Sequence, residues 1–181
     1  KMRNKYTFVL LAITFVALGI ITNLTTNAAE RKVVIEDHTG AWCGFCVRGT
    51  GTMEELEAQY GEDLIGVAVH NSSPGRADAM AVPDYEGPLA QMIGLTGFPS
   101  GSVNRIPNGG AMAVSDGVWP SMTAQLNKQQ VPVGVSLNVD YNKTTGAYKV
   151  TVTANVESQV NAQLAFNLWV LEDSVVGTGS G

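Results

Sequence analysis

Between residues 33 and 129 the chain alternates short apolar runs with polar loops, and the periods of these runs predict strands and helices in turn. Val33–Asp37 is an apolar run of strand length that ends in acids. Cys43–Tyr60 predicts a helix, because Met53 and Leu56 recur at helical spacing within it. Leu64–His70 is almost entirely apolar and predicts a buried strand.

The second half of this region predicts a helix, a hairpin and a last helix. After the polar loop Asn71–Pro83 we expect a short helix with Pro88 in its first turn and Gly94 at its end. Asn108-Gly109 between two extended runs is a strong hairpin signal. The hairpin strands are Ser100–Arg105 and Ala111–Val114, and the last helix lies near Val118–Gln129. The order β-α-β-α-β-β-α predicts an α/β fold with a parallel core and one antiparallel hairpin.

Two local signals conflict just after the first predicted strand. The residues Gly49-Thr50-Gly51 are poor helix formers, whereas Thr52-Met53-Glu54-Glu55 matches a capping box that begins a helix. We therefore expect residues 43–46 to lie on a short turn of their own, kinked away from a helix that begins at Thr52.

After Pro132 the apolar pattern changes to period two, which is typical of half-buried strands. The apolar positions are Val133, Val135, Leu137 and Val139, then Tyr148, Val150, Val152, Ala154 and Val156, then Ala162, Leu164, Phe166, Leu168 and Val170. Three such strands predict the opening of an immunoglobulin-like sandwich. One sheet cannot cover its own apolar face, so residues 131–181 are expected to be an incomplete β-rich domain. Either the chain is a fragment, which we favour, or the sheet packs on the first domain or on a partner.

Composition and charge narrow the function classes. The 181 residues are 45% hydrophobic and 15% charged, with a formal net charge of −5. This ordinary globular composition excludes a disordered or collagen-like chain. An acidic surface repels phosphate, so we expect no nucleic-acid partner.

The first 29 residues have the pattern of a secretory signal peptide. Basic side chains at positions 1, 3 and 5 precede the apolar run Phe8–Ile21 and the small polar stretch Thr22–Ala29, with cleavage expected after Ala28 or Ala29. The apolar run is shorter than the ~20 residues of a spanning helix, although a retained anchor stays open as the alternative. We therefore expect an exported protein with a signal peptide at 1–29, an α/β domain at 30–130 and the β-rich domain at 131–181.

Both cysteines lie in one short motif, Cys43-Gly44-Phe45-Cys46. Export places them where disulfides persist. A structural staple is one interpretation, but closing a four-residue ring stabilises a fold little. Half of a zinc site is another, but His38 and His70 are the only histidines, and we expect both to be polar edge residues. Redox chemistry is the interpretation we favour, because two thiols at this spacing can form and break a disulfide without moving the fold.

Two motifs carry a resemblance to a known family. Trp42-Cys43-Gly44-Phe45-Cys46 after a strand, with Thr96-Gly97-Phe98-Pro99 before a hairpin, resembles the thioredoxin fold over residues 31–129. More narrowly, Glu36–Cys43 and Leu168–Asp173 resemble the Omp28-related outer membrane proteins of Bacteroidetes, which couple a thioredoxin-like module to a β-rich region. Phe45 replaces the proline usual in thioredoxins and is more similar to the residue found in disulfide isomerases. The direction of electron flow therefore stays open.

The cysteine motif can be assigned roles residue by residue. At a strand-to-helix junction the helix N–H groups favour a thiolate, so Cys43 is expected to be the exposed, attacking sulfur. Cys46 is expected to resolve the mixed disulfide. Trp42 and Phe45 would shield the pair and offer apolar contact to a partner, and ordinary core packing is the alternative for each.

The resemblance implies roles for three further residues. Pro99 would follow a cis peptide bond after Phe98 and face the cysteines, where an extended substrate can pair; an ordinary trans turn is the alternative. Asp37 matches the buried acid of thioredoxins, which would have a raised pKa and take the proton of Cys46. Glu36 points to the opposite face of the strand. The alternative is that both acids are solvated strand-end charges.

These features predict an exported thiol–disulfide oxidoreductase that exchanges disulfides with envelope or secreted proteins. We expect no cofactor and no metal, because the redox-active group would be the Cys43–Cys46 disulfide itself. The partners implied are protein thiols or disulfides of the cell envelope and a redox partner protein, with association to the outer membrane and an undetermined oligomeric state. The second function class is a non-catalytic envelope binding or adhesion module built on a thioredoxin-like scaffold.

Overall fold

The computed structural model describes residues 29–173 and residue 175, so the predicted signal peptide lies outside the described residues except for Ala29. The described part of the chain contains seven strands and three α-helices. In chain order they are β1 (Ala29–Glu30), β2 (Val33–Thr39), α1 (Val47–Tyr60), β3 (Leu64–His70), α2 (Pro83–Ile93), β4 (Ser100–Val103), α3 (Trp119–Leu126), β5 (Gln130–Val131), β6 (Val133–Tyr141) and β7 (Tyr148–Val156). Searching these residues reveals no helix with the length and apolar character needed to cross a membrane.

A three-stranded sheet with the order β3-β2-β4 forms the centre of the α/β part. β2 and β3 run parallel, as predicted, and pair along all seven residues of each strand. β4 runs antiparallel to β2 and places Gly101 opposite Asp37. Gly101 also exchanges two backbone hydrogen bonds with Val114 (2.8 and 2.9 Å), which adds one residue pair on the outer side of β4.

The predicted hairpin after β4 forms, but its second strand is shorter than expected. Asn108 and Ala111 pair across a two-residue turn whose central residues are Gly109 (φ 62°) and Gly110 (φ 92°). Both central positions need positive φ in this turn type, which glycine adopts without strain. The predicted strand Ala111–Val114 is reduced to two isolated pairings, that of Ala111 with Asn108 and that of Val114 with Gly101.

Helices α1 and α3 cover one face of the central sheet. Val33 and Ile35 of β2 are fully buried beneath them, and the predicted core residue Trp119 is likewise fully buried. The other members of this core are Met53, Leu56, Leu64, Val103, Val114, Met122 and Leu126. Burial of this continuous apolar cluster is what fixes α1, and the motif before it, on the sheet.

Helix α1 begins at Val47, so the predicted start at the Thr52 capping box is wrong. The helix runs through Gly49 and Gly51 and follows the cysteine motif directly. An added Cβ at Gly49 would lie 3.1 Å from the Cβ of Pro99 and 3.2 Å from Oδ2 of Asp37. Close packing at this position therefore outweighs the low helix propensity of glycine. Residues 43–46 form a turn, as the conflicting signals predicted, rather than the first turn of a helix over Cys43–Tyr60.

Helix α2 begins five residues earlier than its predicted proline start. Pro83 occupies the first turn and Pro88 lies inside the helix, so the placement of Pro88 in the first turn is wrong. The prediction for the other end is confirmed, because Gly94 adopts the left-handed conformation (φ 71°) that ends the helix. Helix α3 ends at Leu126, three residues before the predicted Gln129.

The C-terminal part contains one hairpin in the described residues. β6 and β7 pair antiparallel along nine residues, with Leu137 opposite Val152 and Tyr141 opposite Tyr148. The predicted third strand over residues 162–170 is wrong, since this segment forms no strand. Instead of pairing with a strand, its Trp169 packs edge-to-face on Tyr85 of α2, with 6.4 Å between ring centroids.

Candidate functional site

The two cysteines form a disulfide in the turn that leads into α1. Their Cα atoms are 5.4 Å apart. The N–H of Cys43 donates to the Gly40 carbonyl (2.9 Å) and the N–H of Cys46 donates to the Cys43 carbonyl (3.1 Å). Cys46 is buried, with 3% of its surface exposed, whereas Cys43 is half-buried. The two sulfur positions therefore differ in access, and Cys43 is the more accessible one.

The N-terminus of α1 offers its backbone N–H groups to the cysteine turn. Cys46 stands at the N-cap, with no side-chain cap hydrogen bond and no acidic residue in the first turn of α1. These N–H groups and the positive end of the helix dipole stabilise a negative charge placed there. Reduction of the disulfide thus leaves the sulfur atoms where a thiolate is favoured.

Asp37 and Pro99 meet α1 at Gly49, three residues after Cys46. Both side chains lie within 3.3 Å of the position that a Cβ on Gly49 would take. The Phe98–Pro99 peptide bond is cis, so the expected isomer is confirmed. The structure therefore brings the predicted acid and the predicted proline to the same turn of the helix that carries Cys46.

Asp37 is a buried carboxyl group with a strongly altered proton affinity. Only 3% of its surface is exposed, and its Oδ1 has no hydrogen-bond partner among the described residues. Burial, together with the negative charge of Asp116, raises the pKa of Asp37 to about 7, while His70 acts in the opposite direction. A carboxyl group with this pKa can accept or release a proton near neutral pH. Its expected burial is confirmed, and the solvated-charge alternative is wrong.

Aromatic and apolar side chains surround the disulfide. Trp42 and Phe98 contact each other edge-to-face with 5.2 Å between centroids, and the indole N–H of Trp42 donates to the Asn71 carbonyl (2.8 Å). Phe45 is 77% exposed, so the core-packing alternative for this residue is wrong. Val47, which the sequence analysis did not single out, is 73% exposed next to it.

The loop of residues 71–83, which was predicted only to be polar, supports the chain just before the cysteine turn through a hydrogen bond to Ala41. The side chain of Asp78 is fully buried and its Oδ2 accepts the N–H of Ala41 (2.7 Å) and the Nδ1–H of His70 (2.8 Å). Although burial raises it, these hydrogen bonds and that from the Met80 N–H hold the pKa of Asp78 below its usual value. The sequence carried no spacing signal for this contact, because Asp78 lies 37 residues from Ala41.

The opposite face of β2 carries a second polar cluster. Glu36, expected on that face, is 3% exposed and forms an ion pair with Arg105, and the Ser102 hydroxyl donates to its Oε2 (2.6 Å). His38 is fully buried, with its Nδ1 3.0 Å from Oδ1 of Asn71. The prediction that His38 is an edge residue is therefore wrong.

No group of three or more His, Cys, Asp or Glu side chains is arranged to hold a metal ion in the part of the chain described here. The chemistry available at this site is that of two thiols, a buried carboxyl group and an oriented imidazole.

Comparison with known proteins gives a likeness at the level of fold. No protein-family model matches the chain, and no curated protein matches it. Among solved structures, HBP35 of Porphyromonas gingivalis superposes with a TM-score of 0.55 at 24% identity, covering 70% of this chain and 43% of HBP35. A protein of Agrobacterium tumefaciens gives a TM-score of 0.44 at 20% identity, covering 61% of this chain and 52% of its own. The chain thus spans about half the length, or less, of these two proteins. The order of elements, the order of strands and the likeness to HBP35 together assign the α/β part of the chain to the thioredoxin-like fold.

Proposed function

We propose that this chain is an exported thiol–disulfide oxidoreductase that exchanges disulfides with envelope or secreted proteins. The observation that carries the proposal is the Cys43–Cys46 disulfide at the N-terminus of α1, with the buried Asp37 packed against Gly49, one helical turn after Cys46. A scaffold that served only for binding would need neither a thiolate-stabilising helix end nor a carboxyl group with a pKa near 7 beside it.

The reaction follows from the different positions of the two sulfurs. The accessible Cys43 thiolate attacks a substrate disulfide, forms a mixed disulfide and releases one substrate thiolate, which takes up a proton. Asp37 then accepts the proton of the buried Cys46 thiol. The Cys46 sulfur attacks Cys43, the Cys43–Cys46 disulfide forms and the second substrate thiolate leaves. Two electrons pass from the dithiol to the substrate, and the reverse sequence oxidises a substrate dithiol.

Substrate contact is proposed for the apolar rim around Cys43. Phe45 projects into solvent, Trp42 and Phe98 form an edge-to-face pair, and Pro99 packs on the helix behind them. Such side chains bind apolar residues that flank a substrate cysteine and exclude water from the reacting sulfurs.

The cellular setting is proposed from the sequence together with the fold. The chain has a thioredoxin-like module followed by a β-rich part. This arrangement is consistent with membership of the Omp28-related proteins, with an N-terminal export signal and with a redox partner in the envelope. The β6–β7 hairpin supports an immunoglobulin-like region, because one of its faces is apolar and exposed, with Leu137 60% and Tyr141 59% accessible. A second β layer would cover that face.

The same hairpin favours a second candidate function. An exposed apolar sheet face is also what a binding or adhesion module presents to a partner. In that case the cysteine pair would be dispensable, and this difference separates the two functions.

The test is the reduction of insulin and the refolding of scrambled ribonuclease, both by the reduced protein. We expect activity that is lost in Cys43→Ser, and a trapped mixed disulfide with the substrate in Cys46→Ser. Asp84→Asn, an exposed change on α2, serves as the matched control and should retain full activity. Equal rates for the wild-type chain and Cys43→Ser would leave only the binding function.

A further inference from the structure

His70 has the local geometry of an oriented proton acceptor. A carboxylate can only accept hydrogen bonds, so the 2.8 Å contact between Nδ1 and Oδ2 of Asp78 places the proton on Nδ1. In the neutral ring, Nε2 is then the nitrogen that can accept a proton. The Asp78 carboxylate is fully buried and is also fixed by the N–H groups of Ala41 and Met80, so the imidazole has a rigid support.

His70 and Asp37 lie on the same face of the sheet. β2 and β3 pair in parallel with Asp37 opposite Ala68 and Thr39 opposite His70, so His70 is two residues beyond the partner of Asp37. Residues two apart on a strand share a face, so Asp37 and His70 are diagonal neighbours on adjacent strands, on the same face of the sheet. His70 influences the charge of Asp37, which agrees with this placement.

The two residues differ in their access to solvent. Asp37 is 3% exposed with an unpartnered Oδ1, whereas the His70 side chain is 20% exposed. His70 also lines an open cleft of about 400 Å³ between β3, α2 and residues 168–171. A proton on Asp37 has to reach solvent before Asp37 can accept the proton of Cys46, and Asp37 has almost no exposed surface through which to lose it directly.

We propose that His70, oriented by Asp78, relays the proton between Asp37 and solvent during disulfide exchange. The inference rests on the proposed redox function and adds to it a proton path that the cysteine motif does not contain. When the Cys43–Cys46 disulfide forms, the Cys46 proton moves to Asp37, from Asp37 to Nε2 of His70 through water, and from His70 to solvent in the cleft. In the reverse reaction the same proton returns, so no other reactant is needed.

The charged groups around the path act on its separate steps: Asp116 favours the step from Cys46 to Asp37, and acidic groups face His70. Asp116, held by Arg48 of α1, faces Asp37 from the side of α3 and disfavours its anionic form. Asp78 faces His70 from the loop after β3 and accepts its Nδ1–H. Glu86 of α2 lines the same cleft as His70. Asp78 and Glu86, the charged groups of this set that lie near His70, are both acidic.

The test compares wild-type protein with His70→Asn and His70→Gln in single-turnover oxidation by a peptide disulfide between pH 5.5 and 9. An amide can keep a hydrogen bond to Asp78 but cannot carry the proton. We expect His70→Asn to slow the resolving step at neutral pH by at least about tenfold, which is less than the roughly 10²–10⁴-fold of direct proton transfer because His70 acts through Asp37. Added imidazole should restore the rate in this variant and leave Asp37→Asn unchanged.

The double variant Asp37→Asn/His70→Asn separates relay from packing. If His70 acts through Asp37, the double variant is no slower than Asp37→Asn alone. Rates for His70→Asn and His70→Gln that equal the wild type at every pH, or losses that add in the double variant, would overturn the relay. Absence of cysteine-dependent activity in the wild-type chain would overturn the proposed function instead, so the two failures are distinguishable.

Discussion

Arg48 and Asp116 form a two-point ion pair beside the cysteine turn, with Nε 2.6 Å from Oδ2 and Nη2 2.8 Å from Oδ1. The hydrogen bonds from Arg48 hold the pKa of Asp116 below its usual value, against the effect of burial. Asp116 is therefore anionic at neutral pH, and its charge adds to the burial that raises the pKa of Asp37. The proton affinity of the buried acid thus depends on a pair of residues outside the cysteine motif.

Replacement of Asp116 should lower the pKa of Asp37. In Asp116→Asn one negative charge is lost next to Asp37 and Arg48 is released from its partner, and both changes favour the Asp37 carboxylate. We expect the pKa of Asp37 to fall below about 7, measured by the carboxyl ¹³C chemical shift during a pH titration. Asp84→Asn is the control and should leave the titration of Asp37 unchanged. A pKa that stays the same or rises in Asp116→Asn would contradict this account.

Asp37 should make the folded protein less stable as the pH rises. Its folded pKa of about 7 lies above the ordinary value of 3.8, so the folded state binds more protons than the unfolded state between these values. The free energy of unfolding therefore decreases from about pH 4 through pH 7. Asp37→Asn removes this penalty and should be more stable than the wild type at pH 8, by up to about 4 kcal/mol, with little difference at pH 4.

Urea unfolding of both oxidised proteins at pH 4 and pH 8 measures this effect. Asp84→Asn serves again as the control, because its carboxylate is exposed. A stability difference between wild type and Asp37→Asn that is the same at both pH values would attribute the effect to packing rather than to ionisation.

Phe45 and Val47 should matter for protein substrates and not for small disulfides. Both side chains are exposed on either side of Cys46, where they can contact a polypeptide. We expect Phe45→Ser and Val47→Ser to lower kcat/KM for insulin by roughly threefold to tenfold each, which corresponds to about 1 kcal/mol of apolar contact. The rate with a low-molecular-weight aromatic disulfide should be unchanged. Equal losses for both substrates would indicate a disturbed cysteine turn.

The sequence predicted the α/β framework well because its signals are local. The apolar run Leu64–His70 predicts β3 with its observed bounds, and left-handed Gly94 ends α2 as expected. The prediction that the helix begins at Thr52 was wrong because a capping box is a signal within four residues. The start of α1 is decided instead by the packing of Gly49 on Asp37 and Pro99. The predicted strand over residues 162–170 was also wrong because of tertiary contacts, since an alternating pattern does not show whether a partner strand is present.

The candidate site was predictable only as far as its motifs extend. Cys43, Cys46 and Asp37 follow from spacing and resemblance, and the structure brings them to one end of α1. His70 and Asp78 could not be found in this way, because their roles depend on parallel pairing with β2 and on a contact to Ala41 across the loop. Both are tertiary relationships that leave no periodic trace in the chain.

The Glu36–Arg105 pair should contribute to stability in a way that depends on pH. The Nε of Arg105 lies 2.9 Å from Oε2 of the buried Glu36, and its guanidinium lies 5.3 Å from the ring centre of Trp169. Arg105→Met would leave a buried carboxylate held by Ser102 alone. We expect a loss of about 1–3 kcal/mol at pH 7, less than the usual cost of breaking a fully buried pair, because the Arg105 side chain is 34% exposed and its charge is partly screened by solvent.

The pH dependence of that loss identifies its cause. Burial alone would raise the pKa of Glu36, and the hydrogen bonds from Arg105 and Ser102 bring it below 4.5. In the wild type the contribution of the pair is therefore present above pH 4.5 and fades as the pH falls through the folded pKa. In Arg105→Met the unpaired carboxyl group takes up a proton more readily, so the difference from wild type should shrink between pH 7 and pH 4 in urea unfolding. The double variant Arg105→Met/Glu36→Gln removes both charges and should recover most of the lost stability at pH 7. Equal losses for the single and double variants would mean that the contact of Arg105 with Trp169, rather than its charge, stabilises the fold.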